Sequence, residues 1–367
     1  MATLNDDLVL EVISWLPLKD AVRCKILDKN FNRYVSNQSF EHKHFVRSNQ
    51  KISNLLYCSN LNPTKFSQLQ LENPYPLNNL KIMNNPPFLF ASCGGILLLY
   101  YKHRSYFVIN PIKGEFNFVQ EDKHDGWVVG SVGLAVDSNT HSYRVRLVFV
   151  HVSKHRNCLE NQMCRFTIYN FCSSQWEERN EEDFVCKSSG FLGRNIQPVY
   201  LHNSLHWLRE DGSILSFDVE KRRARIFQGP VKLIFGTRYG YDIWFGGVGD
   251  SLVFVCPSKY ETVIYVYDLV HTKTWKIWHR IGNISLTGKN DYKNGFPIIF
   301  DGQRLVLLLR NKDGGDGEIF MHNILEKSWE KMGIVSATTE FVPFVSTLAK
   351  INSGYVFEEL RNNFHLN

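Results

Sequence analysis

Residues 266 to 275 read Val-Tyr-Asp-Leu-Val-His-Thr-Lys-Thr-Trp. Strand-forming residues lead into an aspartate, a polar stretch follows, and a tryptophan opens the next apolar run. The acidic side chain accepts hydrogen bonds from backbone N–H groups two residues on and so starts a turn. The tryptophan offers a large apolar surface to a neighbouring unit. The same order occurs at four other places: Val108-Ile109-Asn110-Pro111 with Phe116, Ile168-Tyr169-Asn170 with Trp176, Ser216-Phe217-Asp218 with Ile226, and Met321-His322-Asn323 with Trp329. Upstream of each lie two more strands joined by a tight turn, as in 198–201, His202-Asn203 and 204–208, or 297–300, Asp301-Gly302-Gln303 and 304–309. The pairs around Cys93-Gly94-Gly95, 137–142 and Gly249-Asp250 fit the same scheme. Each unit is thus four antiparallel strands. Runs such as Leu305-Val306-Leu307-Leu308-Leu309 are apolar on both faces, so the sheet is covered on both sides. Four-stranded sheets repeated at about fifty residues and stacked face to face make a β-propeller.

The five units span 86–332, with half a unit left at each end. Leu55-Leu56-Tyr57 and 66–71 read as third and fourth strands, and 342–348 and 355–357 as first and second. Joining them closes the ring through a shared sixth blade and leaves no sheet edge exposed. Six blades are expected, with five and seven as the neighbouring counts.

Before residue 50 the periodicity is helical. Asn5 is a good N-cap, Asp6 and Asp7 put negative charge in the first turn, and Leu8, Val12, Ile13 and Leu16 recur at helical spacing until Pro17. A second short helix carries Ala21, Val22, Cys24, Ile26 and Leu27; a third begins near Asp28 with Phe31 and Tyr34; a fourth starts at Ser39 with Phe40 and Phe45. So small a bundle has a marginal core, yet it holds more leucine and isoleucine than it can bury. The surplus points to a partner surface.

The order Leu4, Asp6, Asp7, Leu8, Val12, Ile13, Leu16, Pro17, Lys19, Val22, Arg23, Cys24, Lys25, Leu27, Lys29 resembles the F-box. Asn5 stands where that family usually has Pro, Phe31 where it has Trp, and Asp28 where a small residue is common; the apolar face is intact. The rest resembles the F-box-associated, kelch-like region of plant F-box proteins, through Gly133-Leu-Ala-Val-Asp137 with Tyr143-Arg-Val145, through His202-Asn-Ser-Leu-His-Trp207, and through the turn-plus-tryptophan units. The division expected is an all-α F-box over 1–47 and an all-β propeller over 48–367. The resemblance implies docking to a Skp-type adaptor and, through it, to a cullin-RING ubiquitin ligase, with the chain as the substrate-recognition subunit and no catalyst itself. Leu4, Leu8, Ile13, Leu16, Pro17, Val22, Leu27 and Phe31 are then the adaptor-binding residues, some of them also holding the bundle together.

A chain of 367 residues with 44% apolar and 14% aromatic residues has ample material for two domains. It holds no run of eighteen apolar residues, hence no expected membrane span. Asp6 and Asp7 break any signal-peptide pattern, and eight cysteines then read as free thiols in the cytoplasm or nucleus, which leaves the sequons at Asn37 and Asn283 without meaning. The net charge of +6 is modest; its one cluster, Lys221, Arg222, Arg223 and Arg225, falls on a tight turn, and no basic stripe with interleaved aromatics marks a nucleic-acid face.

No nucleophile elbow, phosphate loop or dinucleotide fingerprint is present. Gly246-Gly-Val-Gly249 is a strand turn; His151, His155, Cys158 and Cys164 match no common zinc spacing; His202 and His206 flank a turn; Asp313, Asp316 and Glu318 mark a hairpin tip without EF-hand spacing. No cofactor is expected. Connector lengths place the target: loops 120–130, 151–164, 179–197, 228–242, 279–296 and 333–341 share one face, and the other carries tight turns. Trp127, Arg194, Arg238, Tyr239, Tyr241 and Lys289 are the target-binding candidates, because aromatics and arginine dominate binding hot spots. Two other readings stay open: a propeller that binds a small ligand or glycan, and an enzyme propeller with an appended helical module.

Overall fold

The computed structural model describes residues 5–48, 54–59, 66–70, 88–101, 104–121, 126–138, 143–153, 162–177, 184–186, 196–231, 243–258, 261–282, 292–311, 316–335, 339–345, 351 and 355–356. Four helices come first: α1 (Asp6–Ile13), α2 (Leu18–Arg23), α3 (Lys29–Val35) and α4 (Gln38–Ser48), with a 3₁₀ turn at Cys24–Ile26. Asn5 Oδ1 accepts from Asp7 N at 3.1 Å. Asp28, in extended backbone, accepts from Asn30 N and Phe31 N at 2.6 and 2.9 Å. Two of the three departures from the F-box pattern are therefore helix caps. Val9, Leu10, Ile13, Ala21, Val35 and Phe40 form the bundle core.

Strands β1 (Asn54–Ser59) and β2 (Phe66–Gln70) precede five blades. The first is β3 (Phe88–Cys93), β4 (Ile96–Tyr101), β5 (Ser105–Asn110) and β6 (Glu115–Gln120). The second is β7 (Trp127–Ser138), β8 (Tyr143–Ser153), β9 (Gln162–Asn170) and β10 (Gln175–Trp176), with β11 (Phe184–Cys186) also on β9. The third is β12 (Val199–Leu201), β13 (Ser204–Leu208), β14 (Ser213–Asp218) and β15 (Arg223–Gln228). The fourth is β16 (Trp244–Val248), β17 (Ser251–Pro257), β18 (Glu261–Asp268) and β19 (Trp275–Gly282). The fifth is β20 (Tyr292–Phe300), β21 (Arg304–Asn311), β22 (Gly317–Asn323) and β23 (Ser328–Val335). Two short strands, β24 (Thr339–Phe344) and β25 (Tyr355–Val356), end the order.

The expected count of six blades is corrected to five. The sixth position is closed by a three-stranded sheet in the order β2-β1-β24, where the two ends of the chain meet. Its expected further strand, β25, pairs instead with the outer edge of the first blade, Tyr355 opposite Phe116. The cause lies just upstream: Ile351 is buried in the core between the first two blades, and its N–H donates to Glu115 Oε2 at 2.9 Å, which delivers the chain to that edge. The innermost strands lie side by side around the centre, β3 by β7, β7 by β12, β12 by β16, β16 by β20, and β24 again by β3.

The turn signature has one construction throughout. Asn110, Asn170, Asp218, Asp268 and Asn323 each accept backbone N–H bonds from residues two or three on, at 2.8 to 3.2 Å. The N–H donors of His271 and Thr272 hold the Asp268 carboxyl well below the usual carboxylate range. Each turn then contains one left-handed residue: Gly114, Ser174, Arg222, Lys273 and Lys327, with φ between 51 and 67°. Of the basic cluster, Lys221 and Arg222 sit on one of these turns, where Arg222 pairs with Glu177 at 3.0 Å, and Arg223 and Arg225 lie in β15.

Cores lie between blades. Phe166 stacks on Phe217 across the second and third, at 4.2 Å. Trp275 donates from Nε1 to the carbonyl of Gln228 across the third and fourth, at 3.0 Å. A Cβ at Gly133 would stand 2.7 Å from Leu205, so only glycine lets these two blades approach.

Candidate docking and recognition surfaces

The helices sit on the face of tight turns. Phe45 of α4, 5% exposed, enters the core of the first two blades, with its ring 5.2 Å from that of Tyr143. Gly94, in the β3–β4 turn with φ +55°, lies under it; a Cβ there would meet the Phe45 ring at 2.8 Å. Lys113, in the β5–β6 turn, reaches Glu41 of α4 at 3.4 Å. The expectation that this face carries only turns is thus extended: it also seats the helical module, opposite the inter-blade loops.

On α1 and the turn that follows it, a second apolar stripe faces away from the core. Leu8, Val12 and Trp15 follow at i, i+4 and i+7 and are 58, 62 and 66% exposed. Ile26 and Leu27 are also exposed. Arg47 of α4 holds this end of α1: its guanidinium lies 4.2 Å over the Trp15 ring, Nη1 donates to the Glu11 carbonyl at 3.0 Å, and it pairs with the Glu11 carboxylate. Trp15 is therefore presented in a fixed pose, with Nε1 3.4 Å from Glu11 Oε1. Behind it, buried His44 places Nε2 3.2 Å from the Leu16 carbonyl, and burial lowers its pKa.

Of the expected adaptor-binding residues, Leu8, Pro17 and Leu27 are exposed; Leu16, Val22 and Phe31 are half-buried. Ile13 is among those that hold the bundle together, in its core at 3% exposure. Leu4 lies outside the described residues. Val12, Trp15 and Ile26, absent from that set, are among the most exposed apolar side chains of the bundle. The signal for them was the helix being apolar on more than one side.

A buried polar tie joins the second and third blades. The Arg146 side chain, 4% exposed, pairs with Asp137 and with Glu220, the latter at 2.9 Å, and the Tyr200 hydroxyl donates to Asp137. Arg144 adds a contact to Glu220 at 3.2 Å. This accounts for the Gly133–Asp137 and Tyr143–Val145 pattern: the glycine admits the neighbour and the aspartate anchors it.

On the opposite face the strands run further than their patterns indicate. β7 begins at 127, β8 ends at 153, β9 begins at 162, β19 ends at 282 and β24 begins at 339, so loops 120–130, 151–164, 279–296 and 333–341 are shorter than expected, while β11 lies inside 179–197. Trp127 opens β7, with the Arg165 guanidinium 4.4 Å over its ring. Arg194, Arg238, Tyr239, Tyr241 and Lys289 lie outside the described residues. At the junction of the first two blades is a recess of about 280 Å³. Tyr100, Tyr106, Val128 and Val129 wall it, and Arg104 and Glu121 close it with an ion pair of 3.1 Å. The Tyr100 and Tyr106 rings stand 5.2 Å apart.

The residues singled out for chemistry take structural places. His151 Nε2 is 2.8 Å from Thr167 Oγ1 inside the second blade, and Cys164 is buried on the adjoining strand. His155 and Cys158 lie outside the described residues. His206 is buried beside Phe227, and burial pulls its pKa down to about 3. Among the described residues no group of three His, Cys, Asp or Glu side chains is placed to hold a metal ion.

Residues 28–346 match the F-box associated beta propeller domain. The chain belongs to that family. Its relatives are plant F-box proteins: two F-box/kelch-repeat proteins of Arabidopsis thaliana are 26 and 27% identical, over 74 and 89% of this chain and 67 and 71% of theirs. An F-box protein of the same plant is 24% identical over 78% of this chain and 94% of its own. Among solved structures, an oligogalacturonate lyase in complex with manganese superposes over 77% of this chain and 74% of its own with a TM-score of 0.40 at 13% identity, too distant to bear on function.

Proposed function

We propose that this family member is the substrate-recognition subunit of a Skp–cullin–F-box ubiquitin ligase. Its helices dock the Skp-type adaptor, and the inter-blade loop face of the propeller binds the protein to be modified. It makes and breaks no bond; it raises the local concentration of target lysines near a ubiquitin-charged enzyme. The observation that carries the reading is the stripe of Leu8, Val12 and Trp15, with Ile26 and Leu27, left exposed by a bundle whose core is already filled. The family's F-box relatives and the seat of the bundle opposite the loop face support it.

The test is capture by an immobilised Skp-type adaptor. Val12→Glu and Ile26→Glu alter only exposed positions, so the fold is retained while docking falls at least tenfold, as for a central interface anchor worth about 2 kcal/mol. Undiminished capture by both variants in folded protein refutes the docking assignment.

A further inference from the structure

The recess between the first two blades has a polarity that points to its occupant. Its volume, about 280 Å³, suits one long side chain better than a whole small molecule. The deep charge is negative: the Glu121 side chain is 6% exposed, against 50% for Arg104. Arg104 reaches only Oε1, and among the described residues Oε2 of Glu121 accepts no hydrogen bond. A carboxylate that lines the recess with one oxygen unpaired and open to it has room for a further positive charge. Burial indeed raises the Glu121 pKa even with Arg104 beside it.

The surroundings are shaped for an occupant. Arg104 holds a left-handed backbone, φ 62°, at the lip. The β7 wall is bulged between Val129 and Ser131, a device that re-aims strands beside functional sites. Two tyrosine rings supply faces that attract cations. An acidic occupant would meet Glu121, and an apolar one would cover Oε2 and leave it unmet.

We propose that this recess takes a lysine or arginine side chain of the bound protein, its stem against Tyr100, Val128 and Val129 and its cationic head at Glu121 Oε2. The proposal rests on the reading that this face binds the target. Arg104 shares the carboxylate with the arriving cation and, half in water, gives way at little cost.

The probes are fluorescein-labelled, amidated nonapeptides of Gly and Ser with one central Arg, Lys, Leu or Glu, titrated by fluorescence polarisation against the full chain at pH 7.5 and low salt. The Arg and Lys peptides are expected to bind about tenfold or more tightly than the Leu and Glu peptides. Glu121→Gln removes that preference with melting temperature and adaptor capture unchanged, and Arg104→Ala strengthens it. Ser131→Lys, which offers Glu121 a tethered cation, blocks the basic peptides and keeps the proposal testable if Glu121→Gln fails to fold. Equal binding of the Leu peptide, an unaltered preference in Glu121→Gln, or no binding by any probe overturns it. Adaptor capture with the same preparation separates the two readings: capture without discrimination among peptides sinks the recess alone, and discrimination without capture sinks the receptor role alone.

Discussion

Arg146 is the residue on which two blades depend. Its nearly buried guanidinium answers Asp137 and Glu220 together, so removing it leaves Asp137 with the Tyr200 hydroxyl and Glu220, which is partly exposed, with Arg144. Breaking a fully buried pair costs about 3 kcal/mol, and the partners that each carboxylate keeps bring the expected loss to about 2 kcal/mol. Arg146→Ala is expected to lower the urea midpoint accordingly, with Asp137→Ala close behind; a loss under 1 kcal/mol would remove the tie from the account. His206 sets the acid limb. In the fold it stays neutral down to about 3, whereas the unfolded residue gains a proton below about 6.5. Its contribution is complete above about 6.5 and is lost as pH falls through that window, at roughly 1.4 kcal/mol per pH unit. His206→Leu should flatten the slope of stability against pH between 6 and 4. Neither role was legible beforehand. Arg146 stood next to a recognised pattern and His206 inside one, but burial and cross-blade partners come from residues far away in the chain. Ile13 shows the same limit on α1, where several sides of the helix are apolar and only tertiary packing decides which one the bundle takes.

At the level of the element the turn signature was the most readable feature, because its chemistry is local. An Asn or Asp that binds the next N–H groups needs no distant partner, and all five turns obey it. The left-handed residue that follows was hidden, since only Gly114 is a glycine. Ser174, Arg222, Lys273 and Lys327 occupy the same conformation at a steric cost. Lys327→Gly and Lys273→Gly should therefore raise stability by about 0.5 kcal/mol each, read by thermal melting; a decrease would show that the lysine side chains contribute more than the backbone loses. Strand ends were less readable. Trp127, His151 and Cys164 read as loop residues and lie within strands, with His151 and Cys164 buried, because the polar residues around them mask the apolar pattern while the strand pairing continues. Tyr355 and Val356 were recognised as strand but assigned to the wrong sheet, because two residues specify no partner and the buried Ile351 upstream decides it.

For the whole molecule, the main consequence is that the helices sit at the turn ends of the strands, opposite the strand ends that lead from blade to blade. Phe45, packed on Gly94, and the Lys113–Glu41 pair seat the bundle on the turn face, so the exposed stripe is held at a fixed orientation to the surface proposed to receive the target. This seating was invisible in the sequence, where Phe45 reads as one more apolar residue of a short helix, although the helical and β-rich stretches themselves were plain. If the proposed function is right, adaptor and target bind without touching one another's residues. Hydrogen–deuterium exchange of the full chain, with and without a saturating Skp-type adaptor, tests this most directly. Protection is expected in residues 6–27, with the propeller strands and the recess at Arg104 and Glu121 unchanged. Protection centred on the propeller, or none in residues 6–27 despite binding, would contradict it.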